Sequence, residues 1–366
     1  MSAPSSSGAA RVRVALVGAG VIGSHHGLVL TQLSDRVELV AVVDHHLDRA
    51  EKLAAERGGR AFESLAVALD AVGVDVVVVC TPTGAHAEVA IEALDAGKHV
   101  VIEKPAEVTL ARTDAIIDAQ RRAGTVVTVI SQHRFDPATE VALAAIRAGE
   151  LGRLTSGIAS IDWWRGQSYY DSGGWRGTWE LDGGGALMNQ GVHTVDLLVA
   201  TMGRPVEVFA YTATLAHERI ETEDVAVGVV RFESGALGVL HASTAGYPGL
   251  SARLQVHGDQ GSVVIDSDRL TYFHRTARGN ERREVVYGEN PADNQVDSLG
   301  LQQGPAAGGT DPAQLGAAHR LQYENFLAAL EGTQDLRVTL EENRRSIAVI
   351  LGAYESARTG RPVSLA

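Results

Sequence analysis

Two stretches of the chain carry side chains whose types and spacing suit acid–base chemistry. A β-branched run ends in Glu103-Lys104-Pro105, so a lysine leaves a predicted strand at its carboxyl end. Further on, Gly183-Gly184-Gly185 precedes Asn189, His193 and Asp196, whose i, i+4, i+7 spacing puts them on one face of a helix. An imidazole can accept a hydroxyl proton near neutral pH, and an ammonium can stabilise a developing oxyanion. Alone, each residue is more often structural, so the pair is a hypothesis.

A glycine fingerprint near the start predicts a dinucleotide site. Gly18-Ala19-Gly20-Val21-Ile22-Gly23 is a G-x-G-x-x-G that follows the predicted strand Val12–Val17 and opens a helix. In this context Gly18 permits a tight turn, Gly20 lets backbone approach a pyrophosphate, and Gly23 lets helix and strand pack closely. We expect all six positions except Ala19 to contact the cofactor or shape its turn. The alternative is a glycine-rich turn in a Rossmann-like protein that binds no dinucleotide.

An acidic residue at the end of the second strand favours NAD over NADP. Asp44 stands 44 − 23 = 21 residues after Gly23, where a carboxylate hydrogen-bonds a ribose hydroxyl of the adenosine. A carboxylate there repels a phosphate on that hydroxyl. His45 and His46 follow, without the arginine that often binds that phosphate. The alternative is that Asp44 serves only as a turn residue.

Further cofactor contacts are predicted where later strands end, because ligands of doubly wound sheets bind beyond the carboxyl ends of the strands. Thr81 and Pro82 follow the third long strand, and Glu103 and Lys104 follow the next. His86 begins the following helix and is as readily a capping residue as a cofactor contact.

Over residues 11–135, predicted strands alternate with predicted helices, and these elements must position the residues named above. Short apolar runs alternate with stretches of helical spacing, which predicts a parallel sheet covered on both faces, a doubly wound Rossmann fold. Ser64 and Thr109 are predicted helix N-caps. The predicted strands are Val12–Val17, Val37–Val43, Val74–Val79, His99–Ile102 and Thr125–Ile130.

After residue 135 the pattern changes to strands joined by tight turns. These predict a C-terminal α/β domain with a large, mostly antiparallel open sheet, and a long loop over 289–314. We therefore expect a disordered tail at 1–10, a dinucleotide-binding domain at 11–135 and a substrate-binding and oligomerisation domain at 136–366. The predicted strands are Leu154–Trp164, Val206–Leu215, Asp224–Phe232, Ala236–Thr244, Leu250–His257 and Ser262–Asp266, and the helices are Pro137–Ala148, Gly185–Met202, Ala317–Glu331 and Leu340–Ala357.

Composition excludes several classes of function. The 366 residues carry a net charge of −13, which argues against nucleic acid or an anionic membrane as the main partner. No apolar run is long enough to span a bilayer, and the single cysteine, Cys80, lies in a buried-type run. No cysteine or histidine set has zinc-ligand spacing, so no metal site is predicted. The default expectation is a cytoplasmic protein.

Together, the glycine fingerprint, Glu103-Lys104-Pro105 and the Gly183–Asp196 segment resemble the glucose–fructose oxidoreductase/inositol dehydrogenase (Gfo/Idh/MocA) family. The resemblance runs from Arg11 to about Val363. It implies a Rossmann domain, an open-sheet domain that commonly forms dimers or tetramers, and nicotinamide-dependent oxidation or reduction of a sugar or cyclitol. It also implies that Lys104 and His193 are the catalytic residues. Asn189 departs from the family, which often has Asp there, and an amide cannot accept a proton.

The substrate is expected to meet an aromatic and arginine-rich segment. All four tryptophans lie within residues 163–179, where aromatic faces could stack on a sugar while arginines bind its hydroxyls. Core plugs or interface anchors are the equal alternative. Asn189 is expected to orient a substrate hydroxyl, and the other predicted substrate contacts are Arg176, Arg134, Trp175, Arg165 and Tyr170.

The resulting prediction is an NAD-dependent dehydrogenase that oxidises a secondary hydroxyl of a sugar, anhydrosugar, glycoside or cyclitol. Three alternatives stay open: a keto-sugar or nucleotide-sugar reductase, a glycosidase or lyase that recycles bound NAD, and a non-catalytic sugar or dinucleotide sensor. Because the later strands leave an apolar sheet face uncovered, a homodimer or homotetramer is expected.

Overall fold

The first of two sheets is the six-stranded parallel sheet expected from the apolar runs. The computed structural model describes residues 10–276, 287, 293–303 and 316–365. Strand order is β3-β2-β1-β4-β5-β6, and every pairing is parallel. The predicted doubly wound fold is thereby confirmed. The strands are β1 Val12–Val17, β2 Val37–Val43, β3 Arg60–Phe62, β4 Val76–Val79, β5 His99–Ile102 and β6 Val127–Val129.

Helices cover both faces of this sheet, and local signals set their ends. The hydroxyl of Ser64 accepts the Val67 N–H and that of Thr109 accepts the Arg112 N–H, as predicted for N-caps. Gly124 stops its helix in the left-handed conformation. The helices are α1 Val21–Gln32, α2 Leu47–Arg57, α3 Leu65–Ala71, α4 His86–Asp95 and α5 Leu110–Ala123.

The second sheet has eight strands in the order β13-β12-β11-β7-β10-β9-β8-β14. All of its pairings are antiparallel except β7 with β10, which confirms a mostly antiparallel open sheet. The strands are β7 Leu154–Asp162, β8 Pro205–Ala213, β9 Val225–Phe232, β10 Leu237–Ser243, β11 Ala252–Gly258, β12 Gly261–Asp266, β13 Arg269–Arg275 and β14 Val363–Ser364.

One predicted helix, Gly185–Met202, is in fact two segments. Residues Ala186–Gln190 form a π-helical turn, and the α-helix α8 begins only at Val192 and ends at Met202. At Gly185, just before this turn, the backbone packs so closely that an added Cβ would meet the Glu223 carbonyl oxygen at 1.8 Å. The other helices are α6 Pro137–Arg147, α7 Gln167–Asp171, α9 Gly316–Leu330 and α10 Leu340–Thr359.

Part of the sequence prediction falls outside the described residues. This applies to most of the expected N-terminal tail and to much of the expected 289–314 loop, in which Val296–Leu299 forms a short 3-10 turn. The expected boundary near residue 135 lies between β6 and α6. The two C-terminal helices nevertheless return to the first sheet, since Tyr323 and Phe326 of α9 and Ile347 of α10 join its core.

Within the described part of the chain, one face of the eight-stranded sheet is covered and the other is open. Helices α8 and α10 pack on the covered face. The opposite face presents apolar side chains from three neighbouring strands that are between 40% and 68% exposed: Tyr211, Val227, Val229, Leu237 and Val239. No helix among the described residues is both long and apolar enough to cross a membrane.

Candidate active site

The turn between β1 and α1 has the shape that a pyrophosphate requires. Gly18 has φ +103°, and a Cβ there would meet the Cys80 carbonyl oxygen at 2.5 Å. A Cβ on Gly23 would lie 1.8 Å from the Gly18 carbonyl oxygen, so only glycine lets the helix approach the turn. Gly20 faces open space, with nothing within 4 Å of an added Cβ. The exposed Val21 and the half-buried Ile22 then lead into the helix.

Asp44 follows β2 directly and reaches across to this turn. One carboxylate oxygen accepts the Ala19 N–H at 2.8 Å, and the other accepts the His46 N–H at 2.8 Å. The carboxylate is half-buried and keeps lone pairs for a further donor. It therefore stands where the sequence predicts the contact with the adenosine ribose.

The loop after β4 forms the next wall of the cofactor cleft. The Thr81 hydroxyl is buried without a hydrogen-bond partner among the described residues, and Pro82 is exposed. His86 is buried and contacts the Thr81 and Pro105 carbonyl oxygens, each at 2.9 Å. His86 thus links the loop after β4 to the loop after β5. The glycine cradle and the orphaned Thr81 hydroxyl fit a bound dinucleotide.

Lys104, in the first half of the chain, contacts Asn189 in the second half. Its Nζ donates to the Asn189 carbonyl oxygen at 2.9 Å and to the Asn189 Oδ1 at 3.5 Å. Burial lowers the pKa of Lys104, and the nearby carboxylates of Glu103 and Asp182 oppose this by favouring the charged form. The ammonium lies in the wall of a cavity of about 320 Å³ that also contains Val21, Ile22 and His193.

His193, on the first turn of α8, lines the same cavity as Lys104. Its ring packs edge-to-face against His133, with 5.0 Å between ring centroids. Burial holds the pKa of His193 well below its usual range, and the positive charges of Lys104 and His133 act in the same direction. The imidazole is therefore neutral at neutral pH and can accept a proton.

Glu103 belongs to a buried network that the sequence did not reveal. Its Oε1 lies 2.7 Å from His26 Nε2 and its Oε2 accepts the Lys104 N–H at 2.9 Å, while His26 Nδ1 contacts the Tyr323 hydroxyl at 2.6 Å. Burial would raise the pKa of Glu103, but hydrogen bonds from His26 and His319 outweigh it and hold that pKa well below its usual range. An ionised Glu103 thus fixes the backbone from which Lys104 projects.

The predicted substrate residues divide into two groups. Asn189 and Arg165 line the cavity, as does Tyr169, which the sequence analysis did not select. The Arg165 and Arg176 guanidinium groups lie 5.4 and 4.2 Å from the centroid of the Tyr169 ring. Trp175 stacks on Arg176, and neither of these predicted contacts is among the side chains that line the cavity.

Two predicted contacts lie elsewhere. Tyr170 is 5% exposed, and its hydroxyl is hydrogen-bonded to the Thr244 hydroxyl at 2.7 Å. This agrees with the alternative that the residue fills the core and does not bind substrate. Arg134 is 6% exposed and holds both Asp196 oxygens, at 2.7 and 2.8 Å. The proposal that Arg134 binds substrate therefore has no support in this geometry. The same ion pair, with a hydrogen bond from the Ser346 hydroxyl at 3.1 Å, engages the Asp196 carboxylate.

Two groups of metal-capable side chains come together among the described residues, although no spacing in the sequence suggests them. They are His26 with Glu103 and His319, and His133 with Asp136 and Asp268. In the second group, the His133 Nδ1 lies 2.8 Å from Asp136 and 3.0 Å from Asp268. In each group, hydrogen bonds and ion pairs already explain why the side chains are close, so neither group calls for a metal.

The chain matches known families along most of its length. Residues 12–131 match the oxidoreductase family with an NAD-binding Rossmann fold, and residues 139–264 match the GFO/IDH/MocA C-terminal domain. The myo-inositol 2-dehydrogenase of Thermotoga maritima is 28% identical over 348 residues, which is 90% of this chain and 99% of that protein. The scyllo-inositol 2-dehydrogenase (NAD(+)) of Bacillus subtilis is 29% identical over 269 residues, 71% of this chain and 75% of that protein.

Among solved structures, the WlbA dehydrogenase from Bordetella pertussis, determined in complex with NADH and UDP-GlcNAcA, superposes with a TM-score of 0.84. It is 32% identical, over 97% of this chain and 98% of that one. The chain therefore belongs to the GFO/IDH/MocA family of oxidoreductases and carries that family's NAD-binding Rossmann domain.

Proposed function

We propose that this GFO/IDH/MocA oxidoreductase is an NAD-dependent dehydrogenase that oxidises a secondary hydroxyl of a sugar, anhydrosugar, glycoside or cyclitol. The observation that carries the proposal is the shared cavity, which Lys104 and His193 line together with Val21 and Ile22 of the cofactor turn. Inositol dehydrogenases among the similar proteins support this substrate class.

The two side chains divide the work of the oxidation. The Lys104 ammonium donates a hydrogen bond to the reacting hydroxyl oxygen and stabilises the negative charge that develops there. A ring nitrogen of the neutral His193 takes the hydroxyl proton while the carbon–hydrogen bond breaks and a carbonyl forms. The nicotinamide, when bound, accepts the hydride with its electron pair. The Asn189 carbonyl oxygen, 2.9 Å from Lys104 Nζ, holds the lysine in place.

A cofactor-reduction screen with purified protein tests this proposal. Inositols, levoglucosan, glucosides and free sugars are each offered with NAD+ and with NADP+, and absorbance of the reduced nicotinamide is followed. We expect at least one hydroxyl substrate to be oxidised with NAD+ clearly preferred, because a carboxylate at Asp44 is predicted to bind the ribose hydroxyl that carries the phosphate in NADP+. The Lys104→Ala variant is the control for background oxidation. A folded protein that binds NADH but oxidises none of these compounds would refute the proposed substrate class.

A nucleotide-linked sugar acid is a second candidate substrate. Arg165 and Lys104 line the cavity and Arg176 is close enough to act on the charge of Lys104, so this end of the cavity has cationic groups suited to a carboxylate. The WlbA dehydrogenase similar to this chain was determined with such a compound. Adding UDP-GlcNAcA to the screen separates the two candidates, since it carries a carboxylate that inositols lack.

We also propose a homodimer or homotetramer in the cytoplasm. The open sheet face supports the assembly, because Val229 and Val239 are paired in register and remain 53% and 40% exposed. A second copy of the same face would cover them with closed symmetry. Use of the cellular NAD pool supports the location.

A further inference from the structure

Asp182 is a buried carboxylate directly behind the catalytic pair. It is 2% exposed and lies in the turn that precedes the π-helical segment. Its Oδ2 accepts the Gly177 N–H at 2.8 Å, and its Oδ1 accepts the Asn189 Nδ2 at 2.7 Å. A buried carboxylate with two such donors has a defined orientation.

This contact fixes which way the Asn189 amide points. An ionised carboxylate only accepts hydrogen bonds, so the Asn189 nitrogen must face Asp182. The Asn189 Oδ1 then faces the other way, where Lys104 Nζ approaches at 3.5 Å and Gln190 Nε2 at 3.2 Å. Asp182, Asn189 and Lys104 therefore form a continuous chain, with a negative charge at one end and a positive charge at the other.

The charged groups around Asp182 come from four elements of the fold. Lys104 follows β5, Arg176 lies in the loop after α7, Tyr169 is in α7 and Tyr354 is in α10. Burial raises the pKa of Asp182 to about 6, while the Gly177 N–H, Lys104 and Arg176 act to lower it. Above that pH its negative charge favours the ammonium form of Lys104.

We propose that Asp182 is a positioning residue for the reaction: through Asn189 it orients the amide oxygen that contacts Lys104, and together with Glu103 it supplies negative charge that favours the ammonium form of this lysine. The catalytic part of this inference rests on the proposed dehydrogenase function. The electrostatic part does not, because it concerns the protonation of Lys104 in the protein itself.

The lysine content of the chain allows a direct measurement. Lys52, Lys98 and Lys104 are its only lysines, so protein labelled with 13C at the lysine Cε gives three side-chain signals. These are titrated by NMR in the full chain saturated with NAD+. In Asp182→Asn the Lys104 midpoint should move to lower pH, while those of Lys52 and Lys98 stay in place. A Lys104 midpoint that does not move would overturn the proposal.

An exchanged pair separates positioning from simple support of the fold. Asp182→Asn combined with Asn189→Asp keeps one amide and one carboxylate in contact and returns a negative charge to the side of Lys104. Asp182→Asn alone should lower kcat ~10-fold or more, the scale for partners that orient a catalytic group. The exchanged pair should recover most of that loss and restore the Lys104 midpoint. A folded pair that recovers neither would also overturn the proposal.

The matched control is a buried carboxylate with a purely structural pattern of contacts. Asp224 is 0% exposed and accepts the backbone N–H groups of Leu215, Ala216 and His217. Asp224→Asn should lower the melting temperature without moving the Lys104 midpoint. If no hydroxyl substrate is oxidised by the unmutated protein but the Lys104 shift is observed, the proposed function fails and the electrostatic role of Asp182 stands.

Discussion

Two alanine substitutions in the glycine fingerprint should have different effects. Gly20→Ala should weaken NADH binding, whereas Gly23→Ala should destabilise the fold. At Gly20 the backbone is extended, with φ −77° and ψ −165°, and nothing lies within 4 Å of an added Cβ. Alanine lowers the entropy of the unfolded chain but is a poorer N-cap, and these effects are each about 1 kcal/mol or less and oppose each other. The free energy of unfolding should therefore change by less than about 1 kcal/mol.

Gly20→Ala should instead weaken the binding of NADH. The new methyl group occupies the space through which the backbone approaches the pyrophosphate, so at least one charge-assisted hydrogen bond is lost. Such a bond contributes about 1.5–3 kcal/mol, which corresponds to a roughly 10- to 150-fold weaker Kd.

Gly23→Ala should damage the fold itself. Its Cβ would lie 1.8 Å from the Gly18 carbonyl oxygen, and neither group is the movable end of a side chain. Overpacking of this kind costs about 1–3 kcal/mol or more, so the melting temperature should fall by several degrees even without cofactor.

Thermal unfolding without cofactor and fluorescence titration with NADH measure the two effects separately. Gly174→Ala is the control, because that position is exposed and open and lies outside the fingerprint. Unchanged NADH affinity in Gly20→Ala would refute the position assigned to the pyrophosphate. An unchanged melting temperature in Gly23→Ala would refute the packing argument.

Further predictions concern catalysis, cofactor choice and assembly. Lys104→Ala and His193→Ala should each lower kcat ~100-fold or more with NADH affinity unchanged, whereas Lys98→Ala should have no effect; near-normal turnover in His193→Ala would show that another group is the base. Asp44→Ala should narrow the preference for NAD+ over NADP+, measured as the ratio of kcat/KM values, and comparable efficiency with both cofactors in the unmutated protein would contradict this role. Val229→Arg should shift the mass found by light scattering toward the monomer, and an unmutated protein that is already monomeric at micromolar concentration would contradict the proposed interface.

The parts of the fold that the sequence predicted are those that local patterns specify. The runs Val12–Val17 and His99–Ile102 are apolar on both faces, and few structures besides a covered parallel strand bury such a run. In contrast, Arg60–Phe62 and Val363–Ser364 are too short for any period to be visible. They exist because a neighbouring strand edge is available, and that depends on tertiary structure.

The candidate site divides in the same way. Lys104 and His193 stand in recognisable local contexts. The partners of Glu103 and Arg134 do not, because His26 is 77 residues from Glu103 and Asp196 is 62 residues from Arg134. The adjacent histidines of α1 and the surplus of carboxylates were visible as residue types. The sequence did not show which packing brings His26 to Glu103 and Arg134 to Asp196.

The candidate site is built from both halves of the chain. Asn189 lies in the π-helical turn Ala186–Gln190 and places its carbonyl oxygen 2.9 Å and its amide oxygen 3.5 Å from Lys104 Nζ. The lysine comes from the end of β5, and the acceptors and His193 come from the segment beside the second sheet. Neither half alone holds the reactive groups at working distance. The contact between Lys104 and Asn189 therefore makes the position of the proposed catalytic lysine depend on how one half of the chain packs against the other.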